Sequence, residues 1–224
     1  MCGRYVLTTP GQVLAEVFDL PQPVELAARY NIAPTQAVPI VRATEGGGRE
    51  LAFVSWGLVP HWAKEKAIGN RLINARAESL AEKPAFRSSF KHRRCLIPAD
   101  GFYEWKPEGG GKQPWLLRLR GGEPFAFAGL WSRWQDPAAG GEPFESCAIV
   151  TTTPNELAAT VHDRMPAILP KERHALWLDP QAYDPVALAA LLAPIPADAM
   201  EAFPVSKRVN SPANEDPRCI EPLR

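Results

Sequence analysis

Apolar residues gather along the chain in short runs, most of them alternating with polar positions and each closed by glycine, proline or asparagine. Period-two runs of this length predict strands over residues 4–8, 36–42, 51–56, 114–120, 125–131 and 145–151. Pro39 removes a backbone donor from the second of these, so that strand is expected at a sheet edge or to be irregular. Glu45-Gly46-Gly47-Gly48-Arg49 joins it to the third as a hairpin. A second glycine-rich turn spans residues 108–111, and residues 136–143 form a surface stretch. Asn31-Ile32-Ala33-Pro34-Thr35 is turn-rich.

Helical spacing appears in fewer places. Thr9-Pro10 is a capped start for a short helix whose face carries Val13, Leu14, Val17 and Phe18. Residues 84–90, 171–178 and 185–192 are further candidates, and a helical turn begins near Pro154. The proline-rich tail after Leu192 is expected to pack as an irregular cover. With no repeated βα unit and no glycine-rich nucleotide fingerprint, these elements predict an α+β fold with a mixed or mainly antiparallel core and peripheral short helices. No stretch reads as a linker, so residues 1–224 are expected to form a single domain.

Composition adds mostly exclusions. The chain is 46% hydrophobic and 22% charged, as folded soluble proteins are, and its 25 basic and 25 acidic residues leave no global field to attract nucleic acid. No run has the apolar length of a membrane span, and the start lacks the flank and core of a signal peptide. A cytoplasmic protein, nucleoid-associated if bacterial, is expected. Cys2, Cys95, Cys147 and Cys219 are widely separated, and His61, His92, His162 and His174 make no H-E-x-x-H pattern, so neither a metal nor a disulfide framework is expected. Nothing implies a cofactor, and nothing implies an oligomer.

The chemistry concentrates in a few places. Loss of Met1 would give Cys2 an α-amine beside its thiol, a pair that condenses with aldehydes and closes to a thiazolidine; the structural alternative is a small buried thiol. Arg4 can hold an anion nearby. Ser55-Trp56-Gly57-Leu58-Val59-Pro60-His61-Trp62 can form a base-stacking platform or anchor a core. On an extended segment Asn74, Arg76 and Glu78 would share a face, suited to a phosphate-bearing ligand or to a buried hydrogen-bond knot. Lys91-His92-Arg93-Arg94 is the densest positive run, either a solvated face or a phosphate contact. Glu104, between Tyr103 and Trp105, can transfer protons or pair with an arginine, and His162 can exchange protons near neutral pH with Asp163 orienting it.

Met1-Cys2-Gly3-Arg4-Tyr5, Asn31-Ile32-Ala33-Pro34-Thr35, Ser55-Trp56-Gly57-Leu58-Val59-Pro60, Asn74-Ala75-Arg76-Ala77-Glu78, the run from Arg94 to Trp105, and His162-Asp163-Arg164-Met165-Pro166 together resemble the SOS-response-associated peptidase (SRAP) family of abasic-site processing proteins. The resemblance extends from Cys2 to the region of Val209-Asn210. It implies a single SRAP-like α+β domain with a β-rich, barrel-like centre and a positively lined groove for single-stranded DNA containing abasic sites. It also implies covalent capture of such sites after Met1 removal, shielding the lesion from strand cleavage, with replication-fork proteins as further partners. In that scheme Cys2 is the nucleophile, Asn74 orients the sugar, Glu104 transfers protons and His162 assists sugar opening and imine chemistry. Arg4 and Arg76 contact phosphates, while Trp56 and the Pro34 loop border the DNA path. Lyase activity on the lesion is a further expectation of that scheme, and two other readings stay open: a cysteine peptidase that removes its own Met1, and a noncatalytic single-stranded nucleic-acid-binding domain.

Overall fold

The structure, a computed structural model, describes residues 2–136, 138 and 141–223. Its strands are β1 (Tyr5–Leu7), β2 (Arg29–Ile32), β3 (Ala37–Ala43), β4 (Arg49–Trp56), β5 (Asn74–Arg76), β6 (Arg94–Ala99), β7 (Gly101–Glu108), β8 (Gly111–Leu119), β9 (Phe125–Trp134), β10 (Phe144–Thr152), β11 (Met165–Pro166), β12 (Ile168–Leu169) and β13 (Met200–Pro204). Five short helices lie around them: α1 (Gly11–Phe18), α2 (Arg87–His92), α3 (Glu156–Ala159), α4 (His174–Leu178) and α5 (Pro185–Ala190).

Strands β10, β4, β3, β6 and β9 pair in that order, and β9 returns to β10, closing a barrel. Closure leaves these strands without a free edge on the ring. The second sheet is antiparallel, in the order β13-β8-β7-β1-β2. Aromatic edges join the two: Tyr5 meets Trp56 at 5.5 Å and Phe127 at 5.8 Å between ring centroids, and Phe102 meets Phe127 at 6.1 Å. Fully burying side chains of this size stabilises the fold by about 1.5–3 kcal/mol each, so one shared core holds both sheets together.

Strand β10 is the reference line for the site. β4 runs parallel to it up to Trp56↔Cys147, the chain leaves, and β5 resumes on the same side at Asn74↔Ile149. The excursion begins at Gly57, where φ is 137° and an added Cβ would lie 2.7 Å from the carbonyl oxygen of Gly69. Only glycine accepts both that backbone conformation and that close approach. The Trp56 indole then donates to the Ile73 carbonyl at 2.9 Å, fastening the returning chain one residue before Asn74.

Several expectations change. The proline in β3 does not put that strand at an edge: β3 lies between β4 and β6, but its register with β6 is confined to Val41↔Leu96, so Pro39 breaks no extended ladder. Part of the turn-rich segment is strand β2, with the turn itself at Thr35, whose φ is 72°. Thr9 does not cap α1; its hydroxyl donates to Asp100 at 2.6 Å. Val13 is exposed, so the buried face of α1 rests on Leu14 and Phe18. The tail contributes β13, paired along β8 from Met200↔Leu119 to Pro204↔Trp115, in place of an irregular cover. Among the described residues no helix is long and apolar enough to cross a membrane.

Candidate active site

Cys2 lies just ahead of β1, and β1 pairs with β7 through Tyr5↔Phe102 and the Tyr103 amide, which donates to the Arg4 carbonyl at 3.0 Å. Side chains on β7 alternate. Tyr103 packs away from the barrel with Val6 and Val209, and Trp105 lies against that cluster, whereas Phe102 points into the core shared with the barrel. Glu104 therefore shares the barrel side with Phe102 and is only 3% exposed. Burial pushes its carboxyl up to about 7, and the negative charge of Asp163 adds to the shift.

Asn74, at the start of β5, donates its side-chain amide to the Cys2 carbonyl at 2.7 Å. Its Oδ1 is buried with no hydrogen-bond partner. The Cys2 thiol is buried too, and burial, reinforced by the Glu104 charge, raises its pKa well above the usual thiol range. Met1, whose removal the sequence suggests, lies outside the described residues.

His162 follows α3, whose first turn is capped by the Asn155 side chain accepting from the Ala158 amide at 2.9 Å. The loop is then clamped by Arg164, which forks onto both Glu78 oxygens at 2.6 and 2.9 Å and also donates to the Thr151 carbonyl at 2.7 Å. Nε2 of His162 stands 4.0 Å from Glu104 Oε2. Its Nδ1 faces two groups, the Arg164 amide at 3.0 Å and Asp163 Oδ1 at 2.8 Å. These contacts suit different charge states: a neutral ring accepts from the amide and carries its proton on Nε2, while a protonated ring donates to Asp163. Burial lowers the His162 pKa, which favours the neutral ring.

A cleft of about 480 Å³ opens onto this constellation, lined by Arg4, Glu104, Trp105, Lys112, His162 and Asn210. Arg4 donates to Asn31 Oδ1 at 2.9 Å and to the Val209 carbonyl at 2.7 Å, with its guanidinium 5.8 Å from the Trp105 ring centroid. The Trp105 indole donates to Asn210 Oδ1 at 2.8 Å, which makes the tail a wall of the cleft. Lys112 was not singled out by sequence reasoning, since a lysine in a glycine-rich hairpin carries no motif of its own, and Asn210 entered only as the end of the family resemblance, with no role in the site.

Other expected site residues fall elsewhere. Trp56 does not offer a stacking surface: it is 1% exposed, because its ring fills the junction between the sheets. Pro34 is partly exposed beside the Thr35 turn, and Arg76 is exposed at the end of β5. Arg76 shares β5 with Asn74, but Glu78 does not continue their face, since the chain turns into a 3-10 segment and Glu78 pairs with Arg164. In the positive run, Arg94 is neither solvated nor a phosphate ligand. It is buried, donating to the carbonyls of Trp177 at 2.6 Å and Phe90 at 2.7 Å.

Comparison with known proteins agrees with this architecture. Residues 1–212 match the family model described as SOS response associated peptidase (SRAP). The abasic site processing protein YoqW of Bacillus subtilis (strain 168) is 45% identical over 99% of both chains. YedK of Escherichia coli (strain K12), with the same description, is 31% identical over the full length of both. HMCES of Gallus gallus is 33% identical, matching 87% of this chain and 66% of its own. A crystal structure of a Bacteroides thetaiotaomicron protein superposes with a TM-score of 0.87 at 28% identity, covering both chains completely. With a single α+β domain built on a closed barrel and a family match along nearly its whole length, the chain belongs to the SRAP family.

Proposed function

We propose that this protein processes abasic sites by capturing them covalently, in single-stranded DNA, at a Cys2 exposed by removal of Met1. The observation that carries the reading is the convergence of four separate parts of the chain: Asn74 holds the Cys2 carbonyl, the Glu104 charge reaches the Cys2 thiol, and His162 stands 4.0 Å from Glu104, with Glu104 and His162 lining one cleft.

The abasic deoxyribose interconverts between a closed hemiacetal and an open C1′ aldehyde. Opening moves a proton from the anomeric hydroxyl and delivers one to the ring oxygen. Glu104, poised near neutrality, suits the first task, and the Nε2 proton of neutral His162 suits the second. With 4.0 Å between the two groups, one sugar oxygen can lie within hydrogen-bond reach of both. The Cys2 amine then adds to C1′, the aldehyde oxygen leaves as water, and an imine remains. Addition of the thiol sulfur to the imine carbon closes the thiazolidine, the thiol proton passing to nitrogen. Closure removes the electron sink that would acidify C2′ and allow the neighbouring phosphate to be eliminated, so the strand is protected.

Asn74 holds the Cys2 carbonyl with its amide nitrogen, and its unpartnered Oδ1 is suited to a sugar hydroxyl. Selectivity follows from the lesion, which carries an aldehyde and lacks a base that would have to be displaced.

The experiment is incubation with abasic single-stranded oligonucleotide, then denaturation and mass mapping. The expected product has lost Met1 and carries a dehydration linkage at Cys2. An adduct at another residue, or none while a simple aminothiol reacts with the same oligonucleotide, would overturn the reading. The buried acid beside Cys2 also suits self-removal of Met1; Glu104→Gln expressed in a host lacking methionine aminopeptidase should then retain it.

A further inference from the structure

We propose that Lys112 is the phosphate-binding cation of this cleft, receiving a backbone phosphate next to the captured sugar. The inference rests on the DNA-capture reading and adds a binding residue to it.

Two arginines near the site are held by the protein itself. Arg4 is held by Asn31, by Val209 and by the Gly3 carbonyl at 3.3 Å. Arg164 is spent on Glu78 and Thr151. Arg76 is exposed but does not line the cleft. Among the described residues, Lys112 lines the cleft with its ammonium in neither an ion pair nor a hydrogen bond. It stands near the start of β8, opposite Pro107 in the β7–β8 hairpin, and the turn at Gly109 and Gly110, with φ of 57° and 77°, carries it back over the strand that bears Glu104.

Its charge reaches both proton-transfer groups: it offsets a little of the rise that burial causes at Glu104 and adds a little to the lowering that burial causes at His162. Yet it does not pair with Glu104, because the carboxylate is buried and a strongly hydrated ammonium would have to shed its water to reach it. An exposed point charge at the mouth of a cleft, facing no partner of its own, is suited to a mobile anion arriving with the substrate. On single-stranded DNA that anion is a phosphate.

The test measures noncovalent binding of the full chain to an oligonucleotide carrying a tetrahydrofuran abasic analogue, which has no aldehyde. Binding to this probe is read whether or not the covalent reaction occurs. For Lys112→Gln, the slope of log affinity against log salt should fall by about 0.7, the value of one phosphate contact on a single strand. The variant's deficit should therefore shrink roughly threefold between about 50 and about 200 mM salt. Lys112→Arg should restore the slope. An unchanged slope in Lys112→Gln, or no rescue by arginine, would overturn the proposal even where natural abasic DNA still forms its adduct at Cys2; a normal slope change with no adduct at Cys2 would instead defeat the covalent reading.

Discussion

The Asn74 amide donates a 2.7 Å hydrogen bond to the carbonyl oxygen of Cys2, 72 residues earlier in the chain. This contact ties Cys2 to β10, because Asn74 is itself in register with Ile149. Asn74→Ala would release the Cys2 carbonyl and remove the buried Oδ1 in the same step. Misplacement of a reacting group by about 1 Å can cost about 100-fold. Single-turnover crosslinking of Asn74→Ala should accordingly slow by about 10- to 100-fold, with little change in affinity for the tetrahydrofuran analogue.

Glu104 should govern the pH dependence. Its carboxyl is pushed up to about 7, so the fraction able to accept a proton rises as pH passes through that value. The crosslinking rate of the wild type should show an inflection near 7 that is absent in Glu104→Gln; a retained inflection would assign it to another group. Stability carries the opposite sign. Between the ordinary carboxylate range and about 7 the folded chain keeps a proton that the unfolded chain gives up, so stability is lost as pH rises through this window. Chemical denaturation of Glu104→Gln should lack that slope.

Replacing Cys2 separates the two bonds of the proposed adduct. Cys2→Ala keeps the amine and lacks the thiol, so it should form an imine that borohydride traps and that reverses without it. Denaturing gels with and without reductant read the difference directly.

Asp100 illustrates a polar group whose role is structural. It accepts from the Thr8 hydroxyl at 2.8 Å, from the Thr9 amide at 2.9 Å and from the Thr9 hydroxyl at 2.6 Å, and also from the Thr8 amide. Asp100→Ala leaves these partly buried donors unpaired, at about 1–3 kcal/mol for each that water cannot reach. A loss of about 2–4 kcal/mol in urea denaturation is expected.

Gly57→Ala should destabilise for a different reason. The new Cβ meets the Gly69 carbonyl oxygen at 2.7 Å, in a backbone conformation that alanine resists. A cost of about 1–3 kcal/mol is expected, read as a lowered melting temperature, together with slower crosslinking because Asn74 loses its fixed approach.

Part of the barrel was legible because β3, β4, β9 and β10 carry apolar runs closed by turn residues, whereas β6, wedged between the positive run and Asp100-Gly101, was not read as a strand. Strands β2 and β13 escaped notice for a common reason: Asn31 and Pro204 look like punctuation, yet Asn31 is fully buried, giving its amide to the Ser211 and Asn214 carbonyls, and Pro204 sits at a strand end. The Thr9 cap was misread because a distant acid competes for its hydroxyl, and distance in sequence hides such a competitor. At the site, Cys2, Asn74, Glu104 and His162 could be singled out through their motifs. Whether an indole faces a ligand or a core is decided by tertiary packing alone, which is why Trp56 was misplaced and Lys112 passed unseen.

The interrupted pairing of β4 and β5 along β10 has an evolutionary consequence. Asn74 takes its coordinates from the strand beside it, from the short tether at Ile73 and from the packed ends of the detour at Gly57 and Gly69, so only the exposed middle of the detour, residues 64–67, is free to change in length without moving the amide. Insertions at its outward bulge, near the exposed residues 64–67, should survive where a single added residue inside β5 would not. That exposed stretch is thus where an engineer could graft a new loop while Asn74 and Cys2 stay where they are.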